Sequence, residues 1–490
     1  MNPIKKLAGQ TAIYGLSSIV GRLLNYLLVP LYTRVFLPAE YGVVTEIYAY
    51  VSFLNVVLTY GMETGFFRFF QTESNKKSVY STILVSLLIS SSVFTLICIL
   101  FSQSIANVMG YANHSEYITW FAIIISIDAV TSIPFALLRV QNKALKFVFI
   151  RLINIGVNIG LNVFFIIICP HLIKSSNPLI HNAISSVYNP EIGVGYVFIS
   201  NLFASVITLI LLLPYLTGFK FDYSLWKKII KYSLPLLIVG LAGIINETFD
   251  RILLKHLLPD KSTAMAQLGI YGACYKISIL MTIFIQTFRF AAEPFFFAEA
   301  KKSESRDIYA EVLKYFVITC SIIFLGIMMY FDFVKLFVGK EFYSGLHIVP
   351  ILLLANMCLG VYYNLSIWYK LTGKTVFGAY LSVFGAVVTL ILNFWWIPIY
   401  GYTGSAWATF FCYFLIMVAS YFIGQKYYPV NYNLLRILSY ILISVFLYFL
   451  SIIINIQTLV YRIFINSILF FSFLVLIYLL ERKKIIKAVN

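Results

Sequence analysis

The sequence predicts an all-α polytopic membrane protein, and three observations carry that prediction. Of the 490 residues, 61% are hydrophobic and only 11% are charged, whereas a soluble domain holds about 25% charged residues. A mean hydropathy of +0.90 requires apolar sequence running nearly end to end, not one or two anchors. The apolar runs are continuous and roughly 20 residues or longer, enough for a helix to cross a ~30 Å hydrocarbon core. Barrel strands would instead alternate polar and apolar residues over about ten positions. In lipid, every backbone N–H and C=O must be satisfied within the fold, and continuous apolar runs achieve this as helices.

Fourteen transmembrane helices are expected, at 7–36, 42–70, 80–108, 117–138, 147–169, 192–216, 234–257, 268–297, 312–330, 346–369, 376–397, 404–424, 435–454 and 459–480. Several are long enough to tilt within the bilayer or project beyond it. The first follows Lys5 and Lys6 and contains Arg22 within nearly thirty apolar residues. A signal h-region has about 7–15 residues, so this segment is expected to stay as a membrane helix. The longest connection, 170–191, has about twenty residues and carries His171 and His181, so no extramembrane domain is expected. A basic cytoplasmic linker, 218–233, divides the chain after helix six. The second half opens like the first: Leu37-Pro38 and Tyr41-Gly42 are matched by Leu258-Pro259 and Tyr271-Gly272. This weak internal repeat falls at helices one and seven, and repeated bundles around a binding site are common in transporters.

The net charge of +17 comes from 36 basic and 19 acidic residues. It does not point to nucleic acid, because the basic residues sit in short loops between apolar runs. One set of alternate loops and both termini carries 24 of them and the other set carries 7. That asymmetry places both termini in the cytoplasm. The six cysteines (Cys98, Cys169, Cys274, Cys320, Cys358 and Cys412) form no CxxC pair, and the five histidines show no ligand spacing. A zinc site, a disulfide framework and a cofactor are therefore not expected. No phosphate-loop motif is present, so direct use of ATP is not expected.

Charged side chains inside helices are the informative residues, because each costs at least ~2.5–3.5 kcal/mol at the bilayer centre without water, a partner or a ligand. Arg22 lies about fifteen residues into the first helix, ~22 Å at 1.5 Å per residue, with Asn25 one turn on. Helix seven carries Glu247, Asp250 and Arg251. Glu247 and Arg251 have the i,i+4 spacing of a self-neutralising pair, which leaves Asp250 as a candidate for cation or proton coupling. Lys276 lies near mid-depth in helix eight, while Arg289 and Glu293 form a second i,i+4 pair near its end. Asp128, isolated in helix four, reads either as a partner for an arginine or as a titrating coupling residue. Asn154, Asn158 and Asn162 make a four-residue stripe on helix five. Its amides can glue helices together or line a wetted wall that bonds sugar hydroxyls. Gly156 and Gly160 on another face read as a close helix contact.

The stretch Gly21-Arg22, then Pro30-Leu31-Tyr32-Thr33-Arg34-Val35-Phe36-Leu37-Pro38-Ala39-Glu40-Tyr41-Gly42, resembles the first two helices of polysaccharide-type lipid flippases. Gly61-Met62-Glu63 and Phe67-Arg68-Phe69-Phe70 continue the likeness. Asp250-Arg251-Ile252-Leu253, Leu268-Gly269-Ile270-Tyr271-Gly272-Ala273, Tyr275-Lys276-Ile277 and Phe290-Ala291-Ala292-Glu293-Pro294-Phe295 form a second block. Together these motifs cover about a quarter of the chain. Such proteins belong to the multidrug/oligosaccharidyl-lipid/polysaccharide exporter superfamily.

The resemblance implies two six-helix lobes, 1–217 and 234–425, around a central cationic cavity. Two C-terminal helices and a basic tail would occupy 426–490. It implies a non-enzymatic transporter of a bacterial inner membrane that exports undecaprenyl-diphosphate-linked O-antigen or capsule repeat units by alternating access. Position by position, Arg22, Arg251 and Lys276 match cavity cations of the family. Asn25 and the Asn154, Asn158 and Asn162 stripe would supply a polar wall. Asp128, Glu247 and Asp250 are the ion-coupling candidates, for H⁺ or Na⁺. The implied partners are the lipid-linked oligosaccharide, membrane lipids and the glycan polymerisation and export machinery. Three alternatives stay open: a peptidoglycan-precursor flippase, a small-molecule antiporter of the same superfamily, and a membrane glycan polymerase or ligase. A polymerase or ligase would place its catalytic groups in a large outside loop, which the short connections disfavour.

Overall fold

The structure is a computed structural model that describes residues 21, 23–299, 305–454 and 456–489. Among these there is no strand, and twelve helices are long and apolar enough to cross a membrane. The protein is thus a multi-pass α-helical membrane protein. Half of the first expected helix, 7–36, lies outside the described residues; its described end includes α1, Leu28–Val35. The chain then runs through α2 (Pro38–Thr59), α3 (Met62–Thr72), α4 (Lys76–Leu100), α5 (Ser115–Val140), α6 (Ala144–Val163), α7 (Gly195–Leu212) and α8 (Tyr223–Leu257). It continues with α9 (Lys261–Glu299), α10 (Ser305–Met329), α11 (Val349–Leu365), α12 (Val376–Tyr427), α13 (Leu434–Ile454) and α14 (Leu459–Val489).

Local chemistry explains where these helices begin and break. Pro38 opens α2, where its missing N–H costs nothing. Glu40 then accepts the Leu37 N–H at 2.8 Å, as the acid of a capping box does. Asn75 caps α4 by accepting the Ser78 N–H at 3.1 Å. Asp222 caps α8 by accepting the Leu225 N–H at 3.0 Å. The stretch expected to be a basic linker, 218–233, is therefore helical from Tyr223 onward. The reason is apolar spacing: Leu225 and Ile229, four apart, are buried against Met62, Phe66, Val79 and Ile83. The unbroken span Val376–Tyr427 changes direction at Gly401 (φ 58°, ψ −142°), three residues after Pro398. The two helices expected there, 376–397 and 404–424, lie on either side of this glycine.

Two compact units divide the chain, residues 1–269 and 270–490, so the boundary falls inside α9. In the first unit α4 packs on α5, α7 on α6 and on α5, and α8 on α2. Its core gathers Met62, Phe66, Ile83, Leu84, Leu87 and Ile133. The start of α9 crosses α2 backbone to backbone: a Cβ on Gly42 would strike the Met265 carbonyl, and one on Gly269 the Pro38 carbonyl. Both glycines belong to the motifs that carry the family resemblance. By contrast, Gly156 and Gly160 have nothing within 4 Å of an added Cβ, and both are exposed. The close contact expected there is corrected: among the described residues, that face of α6 meets no neighbouring helix at these glycines.

In the second unit α11 packs on α12, and α10 on α13. Glu481 of α14 is buried and receives Lys314 of α10 at 2.6 Å and the Tyr440 hydroxyl of α13 at 2.8 Å. At the far end of α10, Asp332 holds Arg462 of α14 at 2.8 Å and Lys335 at 2.7 Å. Helix α14 is thus fastened near both its ends, to Lys314 of α10 and to Asp332 just beyond α10, and α13 joins it through Tyr440.

Candidate functional site

The first unit holds a polar stripe that begins on α7. Asn201, Ser205 and Thr208 fall at i, i+4 and i+7, one face of the helix, and each engages a different neighbour. Asn201 donates to the Tyr48 hydroxyl of α2 at 3.0 Å. Ser205 donates to the carboxylate of Asp128 on α5 at 3.0 Å. Asn154 of α6 donates to Thr208 at 2.9 Å. Asp128 lies thirteen residues into α5, about 20 Å from its start. Its electrostatic partner is Arg151 of α6, whose guanidinium also sits 4.2 Å from the centre of the Phe135 ring. Arg151 lies on α6, within the helix expected at 147–169.

Farther along α6 the asparagine stripe closes on itself. Asn162 is fully buried. It accepts from the Tyr32 hydroxyl of α1 at 2.8 Å and donates to the Asn158 side chain at 3.0 Å. Immediately after Val163 the helix widens into a π turn, Phe164–Ile168. Insertions of this kind occur frequently at functional sites.

Arg22 lies outside the described residues, and Asn25, beside it, is exposed. The expected side-chain pair between Glu247 and Arg251 is corrected. Glu247 is exposed, and Arg251 donates to its backbone carbonyl at 2.7 Å. The guanidinium instead lies 3.6 Å from the buried carboxylate of Asp250, which also accepts the Arg251 N–H at 2.8 Å. Asp250 is thus the counter-charge of Arg251. A second buried pair joins α2 to α8: Lys255 lies 2.8 Å from Glu46, which is fully buried. Tyr111 donates to the same carboxylate, and Lys255 also reaches the Met109 carbonyl. Among the described residues, Glu46 Oε1 has no hydrogen-bond partner.

In the second unit, Lys276 is half-buried. It sits fifteen residues into α9, about 22 Å from the helix start. Farther on, the expected pair of Arg289 and Glu293 is present at 3.8 Å and gains a third member, Lys370, 2.7 Å from Glu293. Beside them lies a small open cleft with apolar walls from Ile285, Phe288 and Phe316. Asn364 lines it, and Arg289 stacks 4.6 Å from the centre of the Tyr363 ring.

Several of these residues escape a reading by hydropathy. Serine and threonine at 205 and 208 barely interrupt an apolar run, although the i, i+4, i+7 spacing of 201, 205 and 208 is visible once looked for. Glu46 stands without a charged residue within helical reach, and its partner is 209 residues away. Lys370 reads as a loop cation because it ends a long apolar stretch.

The fold and its apolar helices define a multi-pass α-helical membrane protein with charged side chains inside its helices. Residues 7–300 match the family model described as polysaccharide biosynthesis protein, and the chain belongs to that family. No curated protein matches the sequence. Among solved structures, the lipid II flippase MurJ in an inward closed conformation is 14% identical with a TM-score of 0.72. That match covers 96% of this chain and 99% of MurJ. An inward-facing multidrug resistance MATE family transporter of the MOP superfamily is also 14% identical, with a TM-score of 0.64 over 83% of this chain and 94% of its own. A Vibrio cholerae MATE transporter is 12% identical, with a TM-score of 0.56 over 86% and 96%. At these identities the likeness is one of fold.

Proposed function

We propose that the protein is an alternating-access flippase that moves an undecaprenyl-diphosphate-linked oligosaccharide, an O-antigen or capsule repeat unit, from the inner to the outer leaflet of a bacterial inner membrane. The observation that carries this reading is Lys276, a cation held about 22 Å inside a membrane helix in a chain of the polysaccharide family. A diphosphate needs such cations, because charge pairs strengthen as water is excluded. In this reading Arg22, Arg251 and Lys276 attract the diphosphate while the lipid tail stays in the bilayer. Asn25, Asn154, Asn158 and Asn162 face the sugars once the flanking helices move. Asp128, Glu247 and Asp250 couple the cycle to H⁺ or Na⁺. Fourteen helices, lobes at 1–217 and 234–425, and cytoplasmic termini complete the scheme, and the loop charge asymmetry supports the orientation.

The experiment is genetic. Deleting the gene is expected to trap a lipid-linked glycan on the cytoplasmic leaflet. Complementation by Arg22→Ala or Lys276→Ala at matched expression is expected to be weak. Normal glycan export by both variants would remove the cations from the mechanism. The MATE likeness favours one competitor, a small-molecule antiporter. Drug efflux from a sensitised host that depends on the gene would establish that reading instead.

A further inference from the structure

We propose that the start of α6 is a binding site for an anionic phospholipid of the surrounding bilayer. The hairpin of α5 and α6 carries four cations, Arg139, Lys143, Lys146 and Arg151, at the end that the loop charges assign to the cytoplasm. Two of them are compensated. Arg139 lies 2.6 Å from the carboxylate of Glu63, and Arg151 has Asp128 as its electrostatic partner. Lys143 and Lys146 are exposed, and among the described residues neither forms an ion pair with a carboxylate. Instead both ammoniums converge on one ring. Nζ of Lys143 lies 5.4 Å, and Nζ of Lys146 4.8 Å, from the centre of Tyr215, just beyond α7. Like charges gathered at one ring repel each other, and an anion between them reverses the sign of that interaction. A phosphate diester offers two free oxygens, one for each ammonium, and charge-assisted bonds of this kind are the strong ones.

The surface that leads away from the lysines distinguishes a lipid from a soluble anion. Leu145, Phe149 and Leu152 are 80%, 62% and 40% exposed. Gly156 and Gly160, also exposed, continue the same row. These positions fall at i, i+4, i+7, i+11 and i+15, which is one face of a helix. From 145 to 160 the face runs about 22 Å. That exceeds half of a ~30 Å hydrocarbon core, so an acyl chain of one leaflet can lie along it. Toward its far end nothing among the described residues stands within 4 Å of a Cβ added to either glycine, which leaves a shallow furrow. The opposite face carries Asn154 and Asn162, and it is the one that bonds to Thr208 and Tyr32. A phospholipid thus meets its requirements in one place, with the phosphate at Lys143 and Lys146 and a tail along Leu145, Phe149 and Leu152. An acidic protein in the cytoplasm would use the lysines alone.

The site lies outside the cation set assigned above to the transported head group and does not depend on what is transported. The test uses the full chain in phosphatidylcholine nanodiscs doped with phosphatidylglycerol, with retained lipid read by native mass spectrometry. The native protein is expected to retain phosphatidylglycerol in preference to phosphatidylcholine. K143Q/K146Q is expected to weaken that retention at least about tenfold, the scale of two basic residues at a membrane surface, with thermal unfolding unchanged. K227Q/K228Q removes the same charge from two exposed lysines at the start of α8 and is expected to change retention less than about twofold. Y215L is expected to weaken retention and Y215F to leave it intact, because the ring and not the hydroxyl gathers the ammoniums. Equal losses in the two lysine pairs would reduce the effect to general surface charge and overturn the proposal, as would unchanged retention in K143Q/K146Q. Stronger retention of undecaprenyl phosphate than of phosphatidylglycerol at the same lysines would also overturn it, in favour of a polyprenyl carrier. None of these results bears on glycan export, which the deletion strain reads separately.

Discussion

The polar stripe of the first unit and the cleft of the second solve the same problem in opposite ways. Both place polar side chains inside membrane helices, where each unpaired group is expensive. In the stripe, Asn201, Ser205, Thr208, Asn154 and Asn162 all bond to protein partners on other elements or on the same helix. In the cleft, Asn364 keeps an acceptor unused among the described residues, and two cations share one carboxylate. A closed network holds helices together in one arrangement. The stripe therefore reads as structure in this conformation, and the cleft as the less completely satisfied of the two.

The largest effect expected from breaking this contrast is at the buried pair of the first unit. Glu46→Gln leaves Lys255 without its counter-charge, and breaking a buried pair costs about 3–5 kcal/mol. Thermal unfolding in detergent should show the loss. The double variant Glu46→Leu/Lys255→Met, which removes both charges, should recover most of it. If the double variant is as unstable as the single one, the pair is not what the local structure depends on. Next in size is Asn162→Leu, which strands the buried Tyr32 hydroxyl. A stranded buried donor costs about 1–3 kcal/mol, and the same unfolding assay should fall in that range. In the cleft the analogous Asn364→Leu removes an unsatisfied acceptor along with one bond. Its stability should change by less than about 1 kcal/mol. A loss as large as that of Asn162→Leu would show the cleft to be as closed as the stripe.

These contrasts were unevenly legible in the amino-acid sequence. Apolar runs and loop charges announce the helices, because hydropathy and charge are additive along the chain. The regularly spaced asparagines 154, 158 and 162 are likewise visible, since helical period alone puts them on one face. What local pattern could not supply was partner choice. Arg251 has Glu247 at the favoured spacing yet turns to its neighbour Asp250, and Glu46 finds Lys255 only through tertiary packing. The start of α8 was hidden because four lysines outweigh Leu225 and Ile229 in any local average, although those two apolar residues dock the turn.

The smallest effect lies outside the membrane. The carboxyl of Asp222 is held below the usual range, chiefly by the Leu225 N–H and then by the Ser224 hydroxyl. Its cap stabilises α8 fully above the ordinary aspartate pKa of about 3.9 and loses that contribution as pH falls through the depressed value. Asp222→Asn should therefore flatten the acid end of the stability–pH curve and leave it unchanged near neutrality. A change at neutral pH larger than at acid pH would contradict this assignment.

The most direct measurement of the central claim is flipping in reconstituted vesicles. Purified protein is placed in liposomes with a polyprenyl-diphosphate-linked oligosaccharide in the leaflet where the glycan starts, and arrival on the opposite leaflet is followed by a lectin or a glycosidase. The native protein should move the glycan across, and Lys276→Ala should slow it at least about tenfold with its thermal unfolding unchanged. Equal rates for native protein, Lys276→Ala and empty vesicles would contradict the account.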